Sequence, residues 1–273
     1  MKNFYVAMDE TDYSLRSLVL GWRLAAQLNA ALSVVSVVPD ALRVESRREA
    51  LMKRLAETDT PELAEVPIQV VVSDSAKETL AKLAEQEDAV LCIGAHGRRP
   101  VPEMLLGSVT AGVVRRSSQP ALLCGPRYDS ERHSRVEVVM ACVDGSTLSE
   151  AILPHAVTLT RTFGARLQLL QVIDAVAAAQ IAGQARYGDV SESGYVHGVA
   201  RRLEHEHGIK VDWEVLHGDP ADAIVSYLAD SCNTMLAMTT HGRSGLSQVI
   251  AGSVSHEVVH EICCPVAVLR PKG

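Results

Sequence analysis

Apolar residues in this chain follow two rhythms. Short unbroken runs of about five to seven residues alternate with longer stretches in which apolar positions return every three or four residues. In the first half the runs predict strands at 3–9, 32–38, 68–73, 89–94 and 120–124, with helices near 14–30, 43–57, 75–87 and 107–117 between them. In the second half they predict strands at 136–143, 166–173, 210–217, 234–239 and 265–270, with helices at 147–163, about 190–208, 220–231 and 252–262. Unbroken apolar runs suit strands covered on both faces, as in parallel sheets. Strand–helix–strand alternation with right-handed crossovers then gives an α/β fold. The expected architecture is two repeated doubly wound domains, each with a five-stranded parallel sheet flanked by helices.

The repeat is visible residue by residue. V-L-C-I-G-A-H-G at 90–97 matches M-L-A-M-T-T-H-G at 235–242, and Gly107-Ser108-Val109 matches Gly252-Ser253-Val254. Gly97 to Gly242, Gly107 to Gly252 and Pro120 to Pro265 share an offset of 145 positions. The half starts, ending at Asp9 and Asp144, are offset by 135, so the second half carries ten more residues, placed between Asp174 and about Tyr195. The polar segment P-R-Y-D-S-E-R-H-S-R at 126–135 opens with proline and lacks periodicity, which reads as a linker. The domains are therefore expected at 1–127 and 136–273, joined through 128–135.

Composition narrows the partners. A net charge of −7 argues against nucleic acid or an anionic membrane, each of which needs a basic footprint. No run approaches the roughly 18 apolar residues of a membrane span. The opening Met-Lys-Asn-Phe-Tyr-Val-Ala-Met-Asp reads as a strand and not as a signal peptide. Most of the six cysteines fall inside apolar runs, so a reducing, cytoplasmic setting is expected.

Open α/β sheets bind ligands beyond the carboxyl ends of their strands, where the strand order switches. That rule selects Asp9 or Asp144 after the first strand, Gly94–Gly97 or Thr239–Gly242 after the fourth, and Gly107-Ser108 or Gly252-Ser253 at the last helix. A helix start presents amides without intrahelical acceptors, and glycine lets an anion approach them closely. The serines can donate to phosphate, and the aspartates can accept from a ribose hydroxyl or an adenine amino group. Each residue also has an ordinary structural use: glycine in a turn of positive φ, serine as a helix N-cap, aspartate as a turn cap. No G-x-x-x-x-G-K-[ST] is present, nor a G-x-G-x-x-G after the first strand, so the P-loop and dinucleotide folds are unsupported. His96, His241, Arg98 and Arg243 sit beside the glycines, where contact with phosphate competes with turn-stabilising or solvated roles. His256 and His260 share a helix face, but no H-E-x-x-H accompanies them and Cys263 and Cys264 lead into a buried strand, so no metal site is assigned.

Gly94-Ala95-His96-Gly97, nine residues, then Gly107-Ser108 resembles the G-x-x-G signature of the universal stress protein family. The second half matches except at Thr239, which stands where the first glycine belongs. The resemblance covers nearly the whole chain, once per half. It implies a fold like that of adenine nucleotide α-hydrolases and binding of ATP or AMP, with Mg2+ on the phosphates. By the same resemblance Asp9 or Asp144 meets the adenosine, Val37 or Val172 lines the adenine pocket, and Ile93 or Met238 flanks it. Gly94, Gly97, Gly107 and Ser108, or Gly242, Gly252 and Ser253, hold ribose and phosphates. Val109 or Val254 adds a backbone N–H. Family members pair through their last strands, which implies an internal pseudo-dimer of Ala121–Cys124 with Val266–Leu269; a further homodimer stays open.

Each half departs from the pattern differently. The first reads E-T-D-Y-S after Asp9 where the family has G-S, and Pro100 and Pro102 remove two amides from its phosphate loop. The second keeps Asp144-Gly145-Ser146 but carries the branched Thr239. Two sites, one site or none all remain compatible with these departures. Three functions follow: a stress-related nucleotide sensor, a slow ATP hydrolase using the same pocket, or a scaffold that has lost its ligand. No nucleophile, base and orienting group can be read together from the sequence, which leaves catalysis with little support.

Overall fold

The computed structural model describes residues 1–95, 106–174, 193–241 and 253–271. Its strands are β1 (Asn3–Ala7), β2 (Ala31–Val38), β3 (Ile68–Val72), β4 (Ala89–Gly94) and β5 (Ala121–Cys124), then β6 (Val138–Val143), β7 (Arg166–Ile173), β8 (Val211–His217), β9 (Thr234–Thr239) and β10 (Val266–Leu269). All ten join one sheet in the order β3-β2-β1-β4-β5-β10-β9-β6-β7-β8. Within each half every neighbour is parallel, and the order reverses between β1 and β4 and again between β6 and β9. The halves meet where β5 and β10 run antiparallel, with Leu122 opposite Ala267. The internal pseudo-dimer is thus a single continuous slab with two doubly wound halves.

Nine helices are described: α1 (Asp12–Leu28), α2 (Val44–Ala56), α3 (Ala76–Ala84), α4 (Ser108–Arg116), α5 (Thr147–Glu150), α6 (Leu153–Phe163), α7 (Gly194–His207), α8 (Pro220–Leu228) and α9 (Ser253–Glu261). Side chains alternate along the strands and so feed both faces of the sheet. In β4, Val90 and Cys92 enter a core layer with α1, α2, α6 and α7, while Leu91 and Ile93 enter the opposite layer with α3, α4, α8 and α9. Each layer draws residues from both halves, which makes the seam apolar throughout. Among the described residues no helix is long and apolar enough to cross a membrane.

Three features depart from the sequence reading. The helix expected at 147–163 is broken into α5 and α6 because Pro154, in the first turn of α6, has no N–H to continue the ladder from α5. A 3-10 turn at Pro61–Glu65 buries Leu63 completely between α2 and β3. The polar segment after β5 is packed into the fold. Tyr128 and His133 are buried there, at 8% and 2% exposure. His133 Nδ1 accepts from the Thr234 N–H at 3.2 Å, so its proton sits on Nε2, 3.4 Å from Cys263 Sγ. Asp129 N donates to Cys263 O, Arg132 reaches Ala229 O at 2.8 Å, and Arg23 of α1 donates to Ser130 O. Gln27 of α1 bonds both the N–H and the carbonyl of Val136. Gly125 has no room for a side chain, since a Cβ there would stand 1.9 Å from Val259 O.

The repeat holds in backbone detail. α1 ends at Asn29 and α6 at Gly164, both left-handed at φ 50° and 63°. Lys2 and Asn3 donate to Asp88 O as Glu137 and Val138 donate to Asn233 O.

Candidate functional site

Parallel pairing brings the carboxyl ends of β1, β2 and β4 to one rim. Ala7 lies opposite Val35 and Ile93, and Met8 N continues the ladder to Val35 O at 2.9 Å. Asp9 follows directly. Its Oδ1 accepts from the N–H of Thr11 at 3.0 Å and from the Thr11 hydroxyl, closing an Asx turn before α1. In the second half Asp144 Oδ1 takes the N–H and hydroxyl of Ser146 at 3.0 and 2.6 Å. Thr11 therefore does the work of Ser146, although Glu10 replaces Gly145, whose φ is 87°. The signal for Thr11 was present: a hydroxyl two residues after each aspartate.

The last helix of the first half is bound tightly to the end of β4. Gly107 N donates to Ala95 O at 2.8 Å, Ala95 N to Cys124 O at 3.0 Å, and Thr110 Oγ1 to Gly94 O at 2.8 Å. Gly107 itself is the N-cap of α4, and Ser108 is the first helical residue, which corrects the reading of Ser108 as the cap. Ser108 and Val109 are exposed at the helix start. Val37 and Ile93 both belong to the core layer of α3 and α4, with Ile93 buried and Val37 partly so. Asp9, Val37, Ile93, Gly94, Gly107, Ser108 and Val109 thus share the carboxyl rim of the first half. Gly97 lies outside the described residues, as do His96 and Arg98.

The second half repeats this arrangement with several substitutions, of which Thr239 for Gly94 changes the backbone's surroundings most. Asp144, Val172 and Met238 end β6, β7 and β9, and Val172, Met238 and Val254 join the matching core layer. Thr240 N donates to Leu269 O at 2.8 Å, as Ala95 N does to Cys124 O, while Ser255 Oγ reaches Thr240 O at 3.4 Å, one residue beyond the counterpart of the Gly94 carbonyl that Thr110 holds. Thr239 is buried where Gly94 stands, and its hydroxyl donates to His241 O at 2.7 Å. Gly242, Gly252 and Arg243 lie outside the described residues, as does the side chain of Ser253.

Two charged groups near the rims were not singled out from sequence. Arg47, on α2, is mostly buried; its Nη1 donates to Ser36 Oγ at 3.2 Å and its Nε pairs with Glu10 at 2.8 Å, one residue from Asp9. A charge-rich helix face hides such a residue, because nothing in its spacing separates it from solvated neighbours. In the second half Tyr195 donates to Glu150 at 2.9 Å and Arg202 pairs with the same carboxylate at 2.6 Å. Burial raises the Tyr195 phenol above its ordinary value, with Glu150 adding to the effect and Asp144 contributing further.

Two doubly wound sheets fused edge to edge, each with a helix anchored at the carboxyl end of its fourth strand, define the adenine nucleotide α-hydrolase-like class of α/β fold. The model of the universal stress protein family matches residues 1–125 and again 136–270. The chain belongs to the universal stress protein family, with two copies in tandem. A universal stress protein of Methanocaldococcus jannaschii is 27% identical over 132 residues, 46% of this chain and 78% of that protein. One of Mycolicibacterium smegmatis is 26% identical over 209 residues, 74% of this chain and 69% of that protein. Among solved structures, a universal stress protein of Archaeoglobus fulgidus superposes with a TM-score of 0.63 at 19% identity, covering 98% of each chain, which supports the fold.

Proposed function

We propose that the chain binds an adenine nucleotide, ATP or AMP, at the carboxyl rim of its first half and acts as a cytoplasmic regulator whose protein contacts follow the nucleotide held. The observation that carries this reading is the start of α4. Gly107 has φ −52°, a value any residue adopts, so the backbone does not demand glycine there. Glycine brings no side chain of its own beside the first amides of the helix, where Ser108 and Val109 are exposed. A phosphate would meet these amides and the Ser108 hydroxyl, with Gly97 completing the cradle. Adenine would rest against Val37 and Ile93, beside Gly94, and Asp9 would accept from the adenosine. Mg2+ would travel with the phosphates. Arg47, held by Glu10, adds a cation near this rim.

The second half supports a weaker version of the same site. Asp144, Val172, Met238, Gly242, Gly252, Ser253 and Val254 would take the matching roles, but Thr239 presents a β-carbon in place of Gly94.

Calorimetric titration of the full chain with ATP and with AMP, with and without magnesium, tests the reading. Gly107→Val is expected to weaken binding at least tenfold, about 1.4 kcal/mol, with an unchanged circular dichroism spectrum. Equal affinity in the variant would remove the first half as the site. Gly252→Val asks the same question of the second half.

A further inference from the structure

The segment after β5 packs against two sulfurs. Asp129 N donates to Cys263 O at 2.9 Å, and His133 Nε2 stands 3.4 Å from Cys263 Sγ, just beyond α9. Arg132, the residue before His133, donates to Ala229 O at 2.8 Å and to Ser231 O at 3.3 Å, which brings it to the residue before Cys232. The Cys232 thiol is the main cause that raises the Arg132 guanidinium above its ordinary value, and Cys263 is the second, so one cation lies within reach of both sulfurs. The strand register agrees. Val266 lies opposite Leu236, and counting back along the pair sets Cys263 opposite Asn233, next to Cys232.

Burial silences the other four thiols. It pushes Cys92, Cys124, Cys142 and Cys264 well above the ordinary thiol value, and a sulfur that keeps its proton is a poor nucleophile. Cys232 is exposed and Cys263 half-buried. By the offset of 145 their counterparts are Glu87 and Ser118, so the repeat does not account for a thiol at either position. Burial pulls the imidazoles of His133 and His155 below their ordinary value, which leaves both rings neutral near pH 7. His155 lies by Ala89 and Val90, at the amino edge of β4; His133 turns its Nε2–H towards sulfur.

We propose that Cys232 and Cys263 are a redox-active pair, oxidised by hydroperoxides to a disulfide. The exposed Cys232 reacts first. Its sulfur takes the distal oxygen of the peroxide, the O–O bond breaks, and the alcohol leaves with the thiol proton. The sulfur, oxidised by two electrons, becomes a sulfenic acid. Arg132 meets the negative charge that develops on the sulfur and on the departing oxygen. The Cys263 sulfur then attacks that of Cys232. The S–S bond forms, and the hydroxyl leaves as water with the Cys263 proton. His133, whose proton already sits on Nε2, acts as a hydrogen-bond donor to the Cys263 sulfur and not as a base. Closure draws that sulfur away from the ring, so the connector loses a contact on oxidation. The pair stands at the end of the slab that carries the carboxyl rim of the first half, because β5 and β10 run antiparallel.

The test treats the reduced full chain with hydrogen peroxide, blocks free thiols with N-ethylmaleimide under denaturing conditions, digests without reductant and maps the peptides by mass. A linked pair of peptides carrying Cys232 and Cys263 is expected, with the other four thiols still free. In Cys263→Ser the sulfenic acid at Cys232 should persist and be trapped by dimedone. Arg132→Gln should slow the loss of the Cys232 thiol by about tenfold, as removal of a neighbouring cation does. Arg132→Lys, which keeps the charge, should react as the parent does. A Cys263–Cys264 link, disulfides between chains alone, or a sulfinic acid on Cys232 beside a reduced Cys263 overturns the proposal. So does a Cys232 that reacts no faster than the thiol of a free peptide of residues 227–237.

Discussion

At the scale of single residues, the two rim aspartates carry more than one task. Each rim aspartate closes its own turn before α1 or α5, so it is pre-oriented by a hydroxyl two residues on. The ordinary structural use of aspartate and its proposed ligand role coexist at one carboxylate. Sequence reasoning located these aspartates because strand ends are legible. It misplaced the helix cap, because Gly107 and Ser108 are adjacent and both cap helices well; the choice depends on a backbone turn set by Ala95. His133 was invisible as a core residue, since a histidine in a polar run gives no apolar signal. Its burial, with Arg132 beside it, pulls the imidazole down to about 4 from an ordinary 6.5, against a smaller opposing pull from Asp129. The unfolded chain therefore binds more protons than the folded one between those values. Stability should be full above about pH 6.5 and fall by about 2–3 kcal/mol as pH drops towards 4. Urea midpoints for the parent and His133→Asn across pH 4.5–7.5 check this. The asparagine keeps an acceptor toward Thr234 without titrating, so its profile should be flatter; identical slopes would assign the acid sensitivity elsewhere, including to His155, which is common to both.

At the scale of elements, the period of apolar residues gave strands and helices in the right order, and errors cluster where one proline or one turn decides. Pro154 splits a helix whose apolar pattern runs straight through it. Leu63 anchors a 3-10 turn too short to show a period. The segment after β5 was read as a linker on composition, yet its carbonyls and rings are committed to α1, β9 and the approach to β10. Its three arginines, Arg127, Arg132 and Arg135, would be cut quickly by trypsin in a solvated linker. In the packed connector, cleavage at Arg132 should proceed no faster than global unfolding, because Arg132 O accepts from Asn233 N and its guanidinium is held by Ala229 O. Mass-mapped limited proteolysis at 25 °C decides between the two; early release of two half-chains would show that the connector opens independently.

Across the whole molecule, the seam of β5 and β10 joins two repeats into one continuous sheet. Both core layers cross it, and the edges left over are β3 and β8, the latter guarded by Asp212 and its ion pairs with Arg166 and Lys210. Pairing through the last strands followed from the family resemblance and not from any periodicity, since an apolar four-residue strand does not name its neighbour. Ala267 is fully buried in this seam opposite Leu122. Ala267→Lys should cost about 3 kcal/mol or more by crowding the core and burying a charge. Scanning calorimetry should show a single transition moved down in temperature for the entire chain. Two resolved transitions, with only one displaced, would mean that the repeats melt separately.

The reversal at that seam also fixes where the two carboxyl rims face. Because β5 and β10 oppose each other, the carboxyl rims of the two halves look out from opposite ends of the slab. With a ligand at each rim, as proposed, a partner approaching one end would meet the occupancy of that end alone. Two such partners would stand apart, and any coupling between the ends would pass through the shared strands.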